Sequence, residues 1–480
     1  MATTEYDAIV VGAGPNGLAA AITLQQKGLQ VLLIEGKEIL GGGLRTMELT
    51  LPGFKHDVCS AIHPMAAGSP FFNSLPLQDF GLQFVEPPVA AAHPFDDGTA
   101  AVLKRSLEET AASLGVDQKT YYDLIHPVVK NWNHLRGDIL GPLRVPAHPM
   151  LMARFGWKAL RSASAIAGKF KTEKAKGLWA GMAAHSIQPL SNISSAAIGF
   201  ILLATGHLYN WPIPLGGSQS IADALVAYFC SLGGQIEKGW YVRSLEQLPS
   251  SKAVLLDVTP RQLLEIAGHK LSSFYKWQLN RYRYGMGVFK IDWALDAPAP
   301  FIAEACRQAG TVHLGSTFRE IAWSESKTAN GGYSEKPYVL FAQQSVFDKS
   351  RAPEGKQAAW AYCHVPNGSR EDMTEAIENQ VERYAPGFRD RILARHTLNA
   401  AQMEAYNPNY IGGDINGGII DIGQLFTRPA LRWSPYRTSA KGIYICSSST
   451  PPGGGVHGMC GYHAAMRALK DISGNSSEDQ

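Results

Sequence analysis

The sequence predicts an α/β protein, a doubly wound parallel sheet interrupted by inserted segments of α+β character. Three observations predict it. Residues 8–35 run strand, glycine turn, helix, strand; a second strand–helix series occupies residues 216–267; a third lies at residues 441–469. Strands that alternate with helices pack as a parallel sheet covered on both faces.

The first series is an apolar strand at 8–11, then Gly12, Gly14 and Gly17, an alanine-rich helix, and an apolar strand at 31–34 ending on Glu35. The three glycines permit a tight turn, let backbone approach a pyrophosphate, and allow close helix–strand packing. Pro15 and Asn16 stand between them at the start of the helix, whose free N–H groups and positive dipole end suit that diphosphate. Glu35, with Gly36 beside it, lies about 20 residues on and accepts hydrogen bonds from the ribose hydroxyls of an adenosine. The strand–turn–helix–strand–acid order predicts a Rossmann-like dinucleotide site.

The second series holds a helix at 221–232, the run Tyr241-Val242-Arg243, and an apolar strand at 253–258. The third holds a strand at 443–446, a glycine-rich loop at 452–458 and a closing helix. The nucleotide domain is therefore assigned to residues 1–76, 215–269 and 406–480. Residues 77–214 and 270–405, richer in proline, aromatics and alternating patterns, are assigned to an inserted substrate domain. There, strands are expected at 284–295 and 338–346. A helix is expected at 370–384, with Glu371, Asp372 and Glu375 in its first turns, where the helix dipole favours acids.

A net charge of +3 over 480 residues is too mild to indicate a nucleic-acid partner. The six cysteines lack paired spacing, so neither a metal site nor a Cys-x-x-Cys redox pair is expected. The longest apolar run, 196–204, is far short of the roughly 20 residues a membrane span needs. The first strand follows Met1 closely, which leaves no room for a targeting segment and predicts a cytoplasmic protein. The polar residues 473–480 are expected to fray.

These runs together resemble the phytoene-desaturase-like branch of the flavin amine oxidase superfamily, in particular its phytoene-dehydrogenase-related, pyridine nucleotide-disulphide oxidoreductase domain-containing type. The matching runs are residues 10–46, 52–64, 211–218, 284–293, 361–366 and 452–465. The resemblance implies a glutathione-reductase-type fold with FAD as the dinucleotide. It puts Arg45, in the run with Gly42 and Gly43, near the diphosphate, and the Val242 backbone at the adenine. It puts the loop and helix start at Val456, His457, Gly458 and Met459 at the flavin, where N–H groups stabilise negative charge on the reduced ring. Ser448 lies in a serine run where relatives carry Gly-x-Gly, a departure beside the ribityl chain.

Two side chains are the candidates for chemistry. Lys290, in Gly-Val-Phe-Lys-Ile-Asp-Trp, is similar in context to the lysine that amine oxidases hold near flavin N5, where a lysine of lowered pKa accepts a proton. The alternative is a strand-end lysine pointing to solvent. His457 is placed beside the flavin by the resemblance, with His63 and His185 as further candidates; simple packing is the alternative for all three. The runs at 407–409 and 412–414 read as turns or as a wall of the substrate site. Residues 151–176 carry seven basic groups against one acid. Arg154, Lys158 and Arg161 share one helical face; Met152, Phe155, Ala159, Ala163 and Ile166 share the other. This fits either a helix resting on anionic lipid or one whose apolar face turns inward.

The reading that follows is an FAD-dependent desaturase or dehydrogenase that moves hydride from an apolar, isoprenoid- or acyl-like small molecule to flavin N5. Two alternatives share the scaffold: a saturase or isomerase, and a non-catalytic lipid carrier like the Rab GDP-dissociation inhibitors.

Overall fold

The computed structural model describes residues 6–475, so residues 476–480 of the expected frayed tail lie outside them; residues 473–475 continue the closing helix, Met459–Asn475. Five parallel strands form one sheet in the order 443–445, 251–256, 6–11, 31–34, 235–237. Its central strands are buried on both sides, as a doubly covered sheet requires. Ala8, Val10, Leu33 and Leu255 pack with the helices Pro15–Gln25, Gln219–Ser231 and Met459–Asn475. Ile9, Val11, Leu32, Ile34 and Leu256 join a second core with Leu263 and Ile266 of the helix Pro260–Ala267.

Seven strands form a mixed sheet in the order 392–398, 287–295, 357–365, 339–342, 309–314, 89–94, 100–103. All neighbours are antiparallel except 309–314 against 89–94. Alternation sorts its side chains. Phe289, Ile291, Trp293 and Phe341 share a core with Ile377 and Val381 of the helix Thr374–Tyr384. Val288, Leu340, Trp360 and Tyr362 face the other way and pack with Ala61, Met403 and Tyr410. A two-stranded pair, Phe84–Val85 with Ile213–Pro214, joins the ends of residues 77–214.

Three local expectations are corrected. The strand expected over 338–346 stops at Ala342, because a one-turn helix, Gln344–Val346, follows. The 370–384 helix starts only at Thr374: Glu371 and Asp372 precede it, and Asp372 accepts the Thr374 N–H at 2.8 Å. Asp side chains hold local backbone in this way and so delay the helix. The basic segment divides into Pro149–Ala159, Ala163–Ala167 and the start of Glu173–Ala184. Its expected apolar face turns inward: Ala159, Ala163 and Ile166 are buried, and Phe155 packs on the main core. Among the described residues no helix is long and apolar enough to cross a membrane.

Candidate functional site: a dinucleotide cradle opening on an apolar chamber

A cavity of about 580 Å³ runs from the carboxyl edge of the parallel sheet to the inner face of the mixed sheet. That volume is in the range of small-molecule and cofactor sites. At one end stand Gly12, Gly14, Pro15, Asn16, Glu35, Gly36, Gly42, Gly43 and Arg45, with Trp240, Tyr241 and Val242. The other end is lined by His63, His185, Ile187, Leu202, Trp211, Thr311, Leu340, Trp360 and Tyr362. Cys59, Tyr410, Asn416, Ser448 and Val456 also line it.

The glycines do steric work. Gly12 has φ of +103°, a conformation L side chains rarely adopt. A Cβ on Gly17 would lie 1.8 Å from the Gly12 carbonyl oxygen, and one on Gly42 would lie 3.0 Å from Gly14 Cα. Two glycine loops therefore approach backbone to backbone. The Pro15–Gln25 helix begins at Gly14 with no cap from the N-cap residue itself, and Asp257 accepts the Gly17 N–H, so its positive end faces the cradle partly covered. Glu35 Oε2 accepts the Ala13 N–H at 2.8 Å, while Oε1 accepts from Lys37 N at 3.0 Å and Arg45 Nη2 at 3.3 Å. Arg45 Nε donates to the Ile39 carbonyl at 2.7 Å, and its guanidinium stands over the Tyr406 ring. A carboxylate has about four lone-pair sites, so Glu35 is oriented while keeping acceptor capacity. Glycine cradle, helix start and held acid together fit a dinucleotide diphosphate and ribose.

Residues 10–74 match the NAD(P)-binding Rossmann-like domain family. Pyridine nucleotide-disulfide oxidoreductase domain-containing protein 2 of Mus musculus is 26% identical, over 98% of this chain and 94% of that protein. A limonene dehydrogenase polypeptide of Castellaniella defragrans is 34% identical, over 98% of this chain and 96% of that protein. The chain belongs to the family of phytoene-desaturase-like oxidoreductases that includes this limonene dehydrogenase polypeptide. The solved structure of a putrescine oxidase bound to putrescine shares the fold of this phytoene-desaturase-like protein, with a TM-score of 0.64 and 17% identity over 98% of this chain and 99% of that one. The protein is accordingly an oxidoreductase.

In this phytoene-desaturase-like protein, Gly17, Gly458 and Met459 lie behind the cavity wall rather than on it. Gly17 donates its N–H to Asp257 Oδ2 at 2.9 Å. Gly458 has φ of +69°, and a Cβ there would sit 3.0 Å from Ala19 Cβ. Met459 opens the closing helix, where its N–H donates to His457 Nδ1 at 3.0 Å.

Neither candidate catalytic side chain lines the cavity. His457 is buried, and burial holds it neutral, down to about 4. Lys290 is not at a strand end in solvent but 2% exposed, in the second strand of the mixed sheet. Its Nζ donates to both oxygens of Asp292 and stands 5.5 Å from the centre of the Trp360 ring. Burial alone would push the Asp292 carboxyl up, but the Lys290 ammonium and the His396 and His56 contacts outweigh it and hold it down. This pair sits beneath the chamber wall as a closed ion pair. Of the two asparagine–glycine runs, 407–409 is wall and 412–414 is not.

Several wall residues carry no signal that a local motif would reveal: Asp257, Tyr406, Tyr410, Trp360 and Tyr362. Asp257 follows directly on the 251–256 strand, and a polar residue at the carboxyl end of a parallel strand is the signal that would find it. Burial raises its carboxyl to about 7, opposed by the Gly17 N–H and helped by the nearby Glu35 charge. Arg428, 1% exposed, is equally hidden; it donates to the carbonyls of Ser448 and Ser449 and so fixes the serine run.

Proposed function

We propose that the cradle holds FAD and that the protein dehydrogenates an apolar, isoprenoid- or acyl-like small molecule. One observation carries this reading: the nucleotide cradle and the chamber of Leu202, Trp211, Leu340, Trp360 and Tyr362 belong to a single cavity. When bound, FAD supplies a two-electron acceptor for hydride from a C–H bond. Glu35 would hold the adenosine ribose, and the turn at Gly12–Gly14 with Gly42 and Gly43 the diphosphate. Val242 would meet the adenine. Trp211, Leu340 and Trp360 exclude water and orient the carbon chain by shape. A relative named for limonene dehydrogenation, aligned over nearly the whole chain, supports an apolar substrate. No residue of 151–176 lines the cavity. We place the surface contact at the start of that segment and just before it, at Leu143, Val145, Met150 and Trp157, all more than two-thirds exposed, with Arg161 over the Trp157 ring.

The experiment is anaerobic. Purified protein should be yellow, release FAD on denaturation, and lose its visible absorption when an isoprenoid or acyl substrate is added without oxygen. A colourless protein that takes up no FAD, or a flavin bleached only by reduced nicotinamide, would remove the dehydrogenase assignment.

A further inference from the structure

Helix Glu173–Ala184 lies on the mixed sheet through two glycines one turn apart. A Cβ on Gly177 would stand 2.7 Å from His93 Nε2, and one on Gly181 would stand 2.7 Å from His313 Nδ1. Only glycine admits imidazoles under this helix. His313 comes from the 309–314 strand, and its Nε2 lies 2.9 Å from Nε2 of His185, the residue that ends the helix and lines the cavity. Trp211 stands edge-on to both rings. Two residues on, Ile187 also lines the cavity, at φ of +49°. A β-branched residue in that region is a strained position, of the kind that clusters at functional sites.

The protons of this pair can be assigned. His313 Nδ1 is buried with no partner. A proton there would be an orphan N–H, which costs more than an orphan lone pair. His313 therefore carries its proton on Nε2 and donates it to His185 Nε2. His185 in turn carries its proton on Nδ1, which has no protein partner among the described residues. Both rings are neutral, because burial holds His185 at about 3 and His313 well below its ordinary value; the neighbouring His93 and His364 only add to this. His364 is tied to Glu325 at 2.7 Å and His93 to the Ser316 carbonyl.

We propose that His185, positioned by His313, is a hydrogen-bond donor for a neutral oxygen on an otherwise apolar substrate, a carbonyl or an alcohol. A plain hydrocarbon would leave this donor unsatisfied in a dry chamber. A carboxylate finds no cation here. The cationic residues on the wall are Lys37, Arg45 and Arg243, beside Glu35 or the Trp240–Val242 run at the nucleotide end. Lys290 is consumed by Asp292.

This inference rests on the flavin reading above, and the test separates the two. The probes are geraniol, its hydrocarbon counterpart myrcene, and geranic acid, each titrated into the holoprotein while the flavin absorption band is followed. Geraniol is expected to bind about tenfold more tightly than myrcene, the worth of one net hydrogen bond, and more tightly than geranic acid. In His185→Phe the preference over myrcene should vanish, and in His185→Gln, which keeps a donor, it should largely return. Retained flavin and an unchanged near-ultraviolet circular dichroism spectrum show that each variant is folded. Equal binding of geraniol and myrcene, no response to either, or a preference that survives in His185→Phe would overturn the inference while leaving a yellow protein. A colourless protein would overturn the flavin reading and this inference with it.

Discussion

Gly17 gives its amide N–H to Asp257 Oδ2 at 2.9 Å, across 240 residues of chain, at the turn that would cradle a diphosphate. A buried carboxyl with a single amide donor, near the Glu35 charge, is better off protonated, and its value rises to about 7. Because the folded value exceeds the unfolded one, the native state binds more protons between the two. Stability from this group is fully present below about pH 4 and is lost as pH rises through about 7. The protein without dinucleotide should therefore lose up to about 4 kcal/mol from this source across that window. Denaturant melts from pH 5 to 8 of the native protein and of Asp257→Asn check it, since the Asn variant should lack this slope.

Lys290→Met should act on stability and leave chemistry alone. It abandons the Asp292 carboxylate in the sheet interior, with His56 and His396 each 3.6 Å away. Breaking a buried pair from one side costs about 3–5 kcal/mol. Lys290→Met/Asp292→Leu should recover most of that loss. Turnover per bound flavin should stay within about threefold of native in the folded fraction, because the pair does not line the cavity. A Lys290→Met protein of native melting temperature but abolished flavin reduction would instead give the lysine a direct chemical part.

The exposed set Leu143, Val145, Met150 and Trp157, with its basic neighbours, should bind vesicles that contain anionic lipid and ignore purely zwitterionic ones. Flotation of the native protein against Met150→Ser/Trp157→Ser checks this. The double variant should lose most of its vesicle-bound fraction while keeping its melting temperature, because neither side chain is part of the core. Equal flotation of the two proteins would refute the contact.

The nucleotide end is legible in the sequence because its signal is local. Gly12, Gly14, Gly17 and Glu35 fall within one strand–helix–strand unit, and backbone geometry alone explains their spacing. The substrate end is not, because its residues meet only through the fold. His185 and His313 are separated by 128 residues, and neither sits in a motif. Lys290 stands out by resemblance, yet strand alternation, which puts Asp292 on the same face, does not say that the two side chains close into a buried ion pair. The basic segment is legible as amphipathic, but which side meets solvent depends on neighbours the pattern does not contain. Tyr406 ends the helix Ala400–Tyr406, and Tyr410 follows a run whose composition reads simply as turns, so neither is flagged by a motif.

The order of the parallel sheet also bears on how the molecule is made. Its edge strand, 443–445, and the closing helix that packs on Pro15–Gln25 are translated after every strand of the mixed sheet. The glycine turn at residues 12–17 therefore lacks its covering helix until both inserted segments have been made. The mixed sheet is complete once residue 398 has emerged, so it can assemble first and serve as the platform on which the helices Pro15–Gln25 and Met459–Asn475 meet.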